Sequence, residues 1–370
     1  MKKIVSFGLF DAGETVLGAL VFSTAFPLFI SSYIDTKIYS ILYGTGFIFS
    51  FFLALYFGKI ADKKGKRKEF FVLFSILTGI SVIFIYFFIH NPYIALFLFI
   101  LSAVFHQQSF IFYNTLLLSF KEKGIASGFG VSLGYIASAV SLIFLASKLK
   151  IPEVFAVCGA IFLLLSFPSF LFIENPGEKG QFSLKNLLKD REFMFLIISI
   201  LSLTEVANTL IAMMGIYLKN VYSLNDYEIY KVIGFSALGG VFGGIFWGFF
   251  SDKRDIRKTF LYGFFMWIFL LMILPFTSKE FIIFAGFFAG FSLAHLWTTS
   301  RLLILLLFPP GEISTRMAFL SLTERIATTT GLFVWSFFLY ITKDNYPMSV
   351  FLMSLFPITG LVLFKRIFLK

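Results

Sequence analysis

A few ionisable and polar residues interrupt segments that are otherwise apolar, and they are the candidates for chemistry. Two sets share the spacing i, i+3, i+4, which places three side chains on one helix face: Asp11, Glu14 and Thr15, and then Glu205, Asn208 and Thr209. Removing a carboxylate from water favours its neutral form unless a cation lies close. Glu14 and Glu205 are therefore candidate proton carriers. A permanent structural ion pair at each acid is the alternative.

Further candidates lie in other apolar segments: His106, Gln107, Asn114, His295, Arg301, Glu324 and Arg325. Side chains of these types could hold a small polar ligand by hydrogen bonds and charge pairing. His106 and His295 stand 189 residues apart, which indicates equivalent places in two halves. Arg301 and Arg325 could bind an anion, and interhelical ion pairs are an equally consistent interpretation.

Enzyme signatures are missing from the sequence. It contains no His-Glu-x-x-His, no Gly-x-Ser-x-Gly and no phosphate-binding loop with lysine. The single cysteine, Cys158, lies in an apolar run, so a thiol metal site is not expected. We therefore predict no catalytic residue, no metal and no cofactor.

The elements that hold these residues must be membrane helices. Of 370 residues, 58% are hydrophobic and 14% charged, against about 25% charged in soluble domains. The apolar runs are long and continuous, whereas an outer-membrane barrel alternates polar and apolar residues in short runs. The net charge of +11 lies in short loops, which favours lipid contacts and orientation over nucleic acid binding. We predict an all-α polytopic membrane protein.

Twelve segments are long enough to span a bilayer. Their predicted bounds are 4–33, 38–61, 69–90, 92–117, 125–147, 152–173, 192–218, 228–250, 258–277, 280–308, 315–342 and 346–368. The termini and the loops after even-numbered spans hold 20 Lys and Arg, and the opposite loops hold six. Because positive loops stay cytoplasmic, both termini are predicted to be cytoplasmic, in a cytoplasmic (inner) membrane.

The chain is predicted to consist of two similar halves. A basic loop at 58–68, between spans 2 and 3, recurs 190 residues later at 248–258. We predict a six-helix bundle at 1–174, a cytoplasmic linker with a short amphipathic helix at 175–191, and a second six-helix bundle at 192–370.

This loop, together with twelve spans in two repeats, resembles the major facilitator superfamily. The family's loop reads Gly-x-x-x-Asp-x-x-Gly-Arg/Lys-Arg/Lys and acts as a conformational latch between its halves. The resemblance implies that role for Gly58, Asp62, Gly65, Lys66 and Arg67. The second copy keeps Gly248 and Asp252 but has Asp255-Ile256 where Gly-Lys is expected.

Finer features are similar to the vacuole effluxer-like branch of that family, whose substrates are amino acids leaving a compartment. The matching motifs are Phe10-Asp11, Phe112-Tyr113-Asn114, Ser127-Gly128-x-Gly130, Asn208-Thr209 and Pro309-Pro310-Gly311-Glu312. The chain departs from the branch at Asp11-Ala12-Gly13-Glu14, where Asp-Trp-Ala-Asn is typical, and at Thr204-Glu205, where Asn-Asp is frequent.

The expected function is secondary active transport of a small polar solute, proton-coupled and by alternating access. The solute would bind among spans 1, 4, 7 and 10. One alternative is export of a hydrophobic or amphipathic compound, which the 56 Phe would also suit. The other is a non-transporting sensor or assembly factor on the same fold. The expected partners are the solute, protons or another coupling ion, and the lipid bilayer, and we expect a monomer.

Overall fold

The chain folds into long helices. The computed structural model describes residues 1–146, 148–180 and 183–368, and these residues contain no β-strand. Twelve helices carry the fold: α1 Lys2–Ile30, α2 Thr36–Lys64, α3 Arg67–Phe88, α4 Pro92–Ser119, α5 Lys123–Leu145, α6 Glu153–Phe172, α7 Arg191–Tyr222, α8 Asp226–Lys253, α9 Ile256–Phe276, α10 Lys279–Leu307, α11 Ile313–Thr342 and α12 Tyr346–Phe368. A short helix, Leu184–Lys189, precedes α7, and the side chain of Ser183 caps its N-terminus.

The predicted spans agree with these helices, the largest boundary difference being at the end of α7. Within the described residues, eleven helices are long and apolar enough to cross a membrane. The remaining helix, α11, is 30 residues long but carries Arg316, Glu324, Arg325 and many Ser and Thr. Ser147 of predicted span 125–147, Gln181 and Phe182 of the predicted linker, and Leu369 and Lys370 lie outside the described residues. The protein is an all-α multi-pass membrane protein.

Polar caps set the helix starts. Asn91 accepts hydrogen bonds from Tyr93 N at 3.1 Å and Ile94 N at 3.2 Å, ahead of Pro92 at the first helical position of α4. Asn225 and Glu228 form a capping box at the start of α8. Such side chains satisfy amide groups that have no partner inside the helix. They therefore fix where the loops end and the spans begin.

The described chain forms two compact units. The first contains Met1–Phe182 together with Leu307–Ala318, and the second contains Ser183–Leu306 and Phe319–Lys370. In the first unit, α1 packs on α5 and α6, and α3 packs on α4 and α6. The ring of Tyr113 stacks 4.0 Å from Phe7 and lies 4.3 Å from Phe10. In the second unit, α12 packs on α7 and α9.

Helix α1 changes its winding soon after the candidate residues. Leu17–Ala25 is wound as a π-helix, and the Thr24 hydroxyl donates to Ala19 O five residues back at 2.8 Å. Segments with π geometry interrupt the regular ladder and occur often at functional sites. Glu14 and Thr15 therefore lie in the last α-helical turn before this irregular segment.

Candidate functional site

In the first unit, α1 brings an acidic residue to a histidine of α4. Glu14 Oε1 lies 3.5 Å from His106 Nε2, and the Glu14 side chain is 22% exposed. The Thr15 hydroxyl donates to Asp11 O at 2.7 Å and lies 3.3 Å from Glu14 Oε2. Four of the predicted site residues therefore form one cluster, with an acid and an imidazole that could exchange a proton or hold a polar ligand together.

Asp11 occupies a different part of this cluster, the seam where α1 packs on α5. Its side chain is buried, and a Cβ placed on Gly130 would overlap Asp11 Oδ2. A Cβ on Gly134 would lie 2.8 Å from Thr15 Oγ1. The glycine-rich face of α5 therefore leaves the space into which the polar side chains of α1 fit.

This close fit predicts that Gly130→Ala destabilises the first unit. Overpacking a core typically costs about 1–3 kcal/mol, and here the added methyl would meet a buried carboxylate. We expect a lower thermal unfolding midpoint of the purified protein. Gly44→Ala is the matched control, because a Cβ there has nothing within 4 Å, and alanine is the better helix former. Equal midpoints for the two variants would contradict the prediction.

In the second unit, α7 places Glu205 against α11. Glu205 is 4% exposed, and its Oε1 contacts the Thr330 hydroxyl. The same hydroxyl lies 2.8 Å from Ile326 O, so one hydroxyl hydrogen faces two acceptors. Glu205 Oε2 is buried and has no hydrogen-bond partner among the described residues. The hydrogen bonding of the Glu205 carboxyl is therefore satisfied only when the carboxyl carries a proton or another donor reaches it.

The two units repeat the same local arrangement. Thr209 donates to Glu205 O at 2.7 Å, as Thr15 does to Asp11 O. A Cβ on Gly331 of α11 would lie 2.9 Å from Glu205 Oε2, as one on Gly130 of α5 would overlap Asp11. In each half, the acid of the first helix therefore faces a glycine of the fifth. Asp11 and Glu205 are the equivalent positions, as the repeated spacing predicts.

Asn208 ties α7 to the backbone of α11. Its amide donates to Glu324 O and to Thr328 Oγ1, both at 3.3 Å. Glu324 and Arg325 themselves are half-buried on α11. The structure therefore brings Glu205, Asn208 and Thr209 together with α11.

The two histidines lie in different environments. His295 is fully buried, its Nε2 lies 2.9 Å from Thr259 O, and its ring packs edge-on at 4.6 Å against Trp247. It packs against α8 and α9, not beside the acid of α7, whereas His106 does lie beside an acid. Equal spacing in the sequence therefore does not give His295 the surroundings of His106.

Three predicted residues are buried at other points of the helices. Gln107 and Asn114 lie in α4 at 3% and 5% exposure, and Arg301 lies in α10 at 3%. Sequence reasoning gave no role to Gln108, which links α4 to α2: its amide donates to Ser50 O at 2.9 Å and lies 2.8 Å from Ser50 Oγ.

The basic loop forms a buried polar cluster within the first unit. Asp62 Oδ1 accepts from Ser314 N and Arg67 Nη2, both at 3.0 Å, and Oδ2 accepts from Thr315 N at 3.0 Å and Thr315 Oγ1 at 2.9 Å. Asp62 and Arg67 are 0% exposed. Because α11 begins at Ile313, Asp62 caps the N-terminus of a helix from a distant part of the chain.

Arg67 uses all five of its N–H donors in this cluster. Its acceptors are Ser314 Oγ at 3.1 Å, Pro176 O at 3.1 Å, Glu178 O at 2.8 Å, Pro310 O at 2.6 Å and Asp62 Oδ1 at 3.0 Å. A guanidinium with a fixed fork of donors can fill such a site, whereas a lysine has three donors. Asp62 and Arg67 together therefore hold the start of α11 and the segment around Pro176.

Glycines allow the close approach in the cluster. Gly65 has φ 68°, the left-handed conformation that favours glycine, and Asn175 Nδ2 donates to its carbonyl at 2.6 Å. A Cβ on Gly58 would lie 3.3 Å from the Ser314 carbonyl and from Thr315 Cα. The positive φ at Gly65 and the close backbone contact at Gly58 thus explain why glycine occupies both positions. Lys66, by contrast, is exposed.

The second copy of the loop is built differently. Gly248 is buried, but Asp252 is exposed. Asp255 stands where the first copy has Gly65, and it caps its own helix α9 by accepting from Arg257 N at 2.9 Å and Lys258 N at 3.2 Å. The second loop thus differs in structure from the first at Asp255-Ile256, where its sequence also departs from the family motif.

Sequence reasoning missed the partners of the acids. Ser314, Thr315, Asn175 and Thr330 carry no motif that links them to Asp62 or Glu205. The available signal was weak: Asn175-Pro176-Gly177 and Pro309-Pro310-Gly311 contain residues that favour turns.

Comparison with known proteins adds family-level evidence. The sequence profile of the Major Facilitator Superfamily matches residues 15–277 and 232–370. An uncharacterized protein of Aquifex aeolicus (strain VF5) is 55% identical over 364 residues, 98% of this chain and 96% of its own.

Two solved structures share the fold. A bacterial homologue of the iron transporter ferroportin, in an outward-facing state, matches with TM-score 0.79 at 14% identity over 100% of this chain and 99% of its own. The fucose:proton symporter FucP of E. coli matches with TM-score 0.79 at 11% identity over 99% and 97%.

Proposed function

Because the chain belongs to the Major Facilitator Superfamily, we propose that this membrane transporter is a secondary active carrier that couples a small polar solute to protons by alternating access. Glu205 is the proposed coupling residue. One of the solved structures of this fold is that of a fucose:proton symporter, which supports proton coupling as a chemistry of the fold.

The observation that carries the proposal is the incomplete hydrogen bonding at Glu205. If Thr330 donates to Ile326 O, as threonine commonly does one helical turn back, Glu205 Oε1 must supply the proton of its own contact with Thr330. If Glu205 is ionised, Thr330 must turn to it, and Oε2 stays buried without a donor. The two protonation states therefore favour different contacts between α7 and α11, as a coupling residue requires.

The solute class is inferred from the first unit. The Glu14–His106 pair offers an acid and an imidazole at 3.5 Å, and Glu14 remains partly exposed. Such a pair is suited to bind a small molecule that carries both an ammonium group and a carboxylate. This agrees with the resemblance to the vacuole effluxer-like branch, so we propose amino acids as the first solutes to test.

The buried Asp62–Arg67 cluster is the proposed latch. Its hydrogen bonds hold the first residues of α11 in the first unit, although the rest of α11 belongs to the second. A helix that joins two units and is capped by one of them is suited to transmit movement. We propose that making and breaking this cap accompanies alternating access.

The functional test is transport by the purified chain in liposomes. With an imposed pH gradient, we expect protein-dependent accumulation of at least one amino acid, abolished by a protonophore. Accumulation of a lipophilic cation but of no amino acid would favour the exporter of amphipathic compounds. Binding without flux of any tested solute would favour the non-transporting sensor or assembly factor.

We also propose that both termini and the linker face the cytoplasm. Single cysteines at Lys3 and Glu178, in a Cys158→Ser background, should resist an impermeant thiol reagent in intact cells. A cysteine at Lys343, exposed in an opposite loop, should react and serves as the positive control. Labelling at Glu178 from outside the cell would reverse the orientation.

A further inference from the structure

The second unit contains a cavity beside Glu205, the proposed coupling residue, to which the proposed transport function assigns no ligand. The cavity has a volume of 390 Å³ and lies among α7, α11 and α12. Its walls are largely apolar, with Leu201 of α7, Phe338 of α11 and Phe356 of α12 among the lining residues. Leu355 and Thr359 also line it and are exposed at the surface of α12. A molecule with an apolar body could therefore enter beside α12.

A single carboxylate lines this apolar cavity. Glu205 is 4% exposed, and the oxygen that Thr330 does not contact, Oε2, has no hydrogen-bond partner among the described residues. The other polar lining side chains are hydroxyls: Ser202 Oγ donates to Ser199 O at 2.7 Å, and Thr359 Oγ1 donates to Leu355 O at 2.7 Å. Neither hydroxyl hydrogen is directed to Glu205. The acid therefore has room for one external donor.

We propose that this cavity is a binding site for an amphiphilic amine with one N–H ammonium group and an apolar body. The ammonium donates to Glu205 Oε2, and the body lies between α7 and α12. Charge complementarity selects a cation, since an ionised acid in an apolar wall needs one. The orphaned acceptor selects an N–H cation over a quaternary one, because only the former donates a hydrogen bond.

Binding of this kind would compete with protonation at the same carboxyl. An amine in the cavity stabilises ionised Glu205, whereas the proposed transport cycle requires the carboxyl to take up and release a proton. The inference thus deepens the proposed function by naming a ligand class that occupies its coupling residue. The binding site itself is defined by the cavity and does not depend on solute transport.

The test uses three probes of one body size: octylamine, octanol and octyltrimethylammonium. The full chain in phosphatidylcholine nanodiscs is titrated with each probe, and the thermal unfolding midpoint is followed, since a ligand of the folded state raises it. We expect octylamine to bind about 10- to 100-fold more tightly than octanol, as a charge-assisted hydrogen bond would provide. Octyltrimethylammonium should bind more weakly than octylamine.

Two variants and a matched control locate the site. Glu205→Gln should bring octylamine to the level of octanol, and Thr359→Trp should lower the affinity for both by filling the cavity. Val362→Trp adds the same ring at an exposed position of α12 outside the lining, and it should leave octylamine binding unchanged. Equal binding of octylamine and octanol, or undiminished octylamine binding in Thr359→Trp, would overturn the proposal.

The outcome separates this inference from the proposed function. If the liposomes show no proton-driven solute uptake but octylamine still binds in the Glu205- and Thr359-dependent way, the amine site stands and the transport proposal fails. If uptake is proton-driven but octylamine binds no better than octanol, the transport proposal stands and the amine site fails.

Discussion

Asp62→Asn is expected to abolish solute uptake while the protein still inserts in the membrane and folds. The carboxylate accepts four hydrogen bonds, two of them from the first amides of α11. An asparagine has one acceptor oxygen, and its NH₂ group would face a donor of Thr315 or Arg67. The substitution therefore weakens the cap of α11 and removes the buried anionic partner of Arg67, which keeps only the partly exposed Glu178 carboxylate at 3.7 Å.

The expected size of the effect follows from the burial of the pair. Removing one partner of a buried ion pair costs about 3–5 kcal/mol, which corresponds to a shift of about 10²- to 10⁴-fold in the latch equilibrium. Arg67→Lys should have a related but smaller effect, because it keeps the charge and supplies three donors for five acceptors.

The measurement is the initial rate of solute uptake in liposomes, with the thermal unfolding midpoint as the folding check. Asp252→Asn is the matched control, since it makes the same change in the second copy of the loop, where the aspartate is exposed. Its uptake should stay close to that of the unmodified chain. Normal uptake in Asp62→Asn, or equal losses in the two variants, would reduce the first loop to an orientation signal.

Hydropathy and loop charge were sufficient to predict the helices. Apolar runs of spanning length bounded by Asn, Asp, Gly and Lys leave little choice of structure in a bilayer, and the observed ends agree with that pattern. The π-helical segment of α1 was not predictable, because Leu17–Ala25 has an ordinary apolar sequence. Its geometry depends on packing, which the sequence does not state.

The candidate site was predictable in part. Local spacing pairs Asp11 with Glu205 and Thr15 with Thr209, and in both halves the threonine donates to the carbonyl of the paired acid, because contacts within a helix repeat with the sequence. The partners across helices were not predictable: Thr315 is 253 residues from Asp62, and Thr330 is 125 from Glu205. His295 shows that equal spacing can also mislead. Although it stands 189 residues after His106, it is buried against Trp247 in the core of its unit and not beside an acid.

Asp11 and Glu205 occupy equivalent positions in the two halves, but the space around their carboxyl groups differs. Asp11 fits the space above Gly130, where an added Cβ would also lie 3.2 Å from the Tyr113 hydroxyl, and that hydroxyl donates to Phe7 O at 2.8 Å. Glu205 is one methylene longer, touches Thr330 of α11 and lines a cavity. The same position in the repeat is therefore enclosed by packing in one half and adjoins open volume in the other, which makes Glu205 the better candidate for a changing protonation state.

Glu205→Gln is accordingly expected to abolish proton-driven accumulation of solute while solute exchange across the membrane continues. The glutamine amide resembles the protonated acid in shape and can donate to Thr330 as the protonated acid would. A charged side chain at the centre of a membrane helix costs about 2.5–3.5 kcal/mol, so the neutral form crosses between states about 10²-fold more readily. Exchange needs no net proton movement and should stay within a few-fold of the unmodified chain, whereas accumulation requires a proton to leave on one side.

The measurement is solute uptake into liposomes with and without an imposed pH gradient. Glu192→Gln, at the exposed start of the same helix, is the matched control that should retain both activities. Accumulation against a gradient by Glu205→Gln would exclude Glu205 as the coupling residue, and loss of exchange as well would assign it to solute binding or to the packing of α7 on α11.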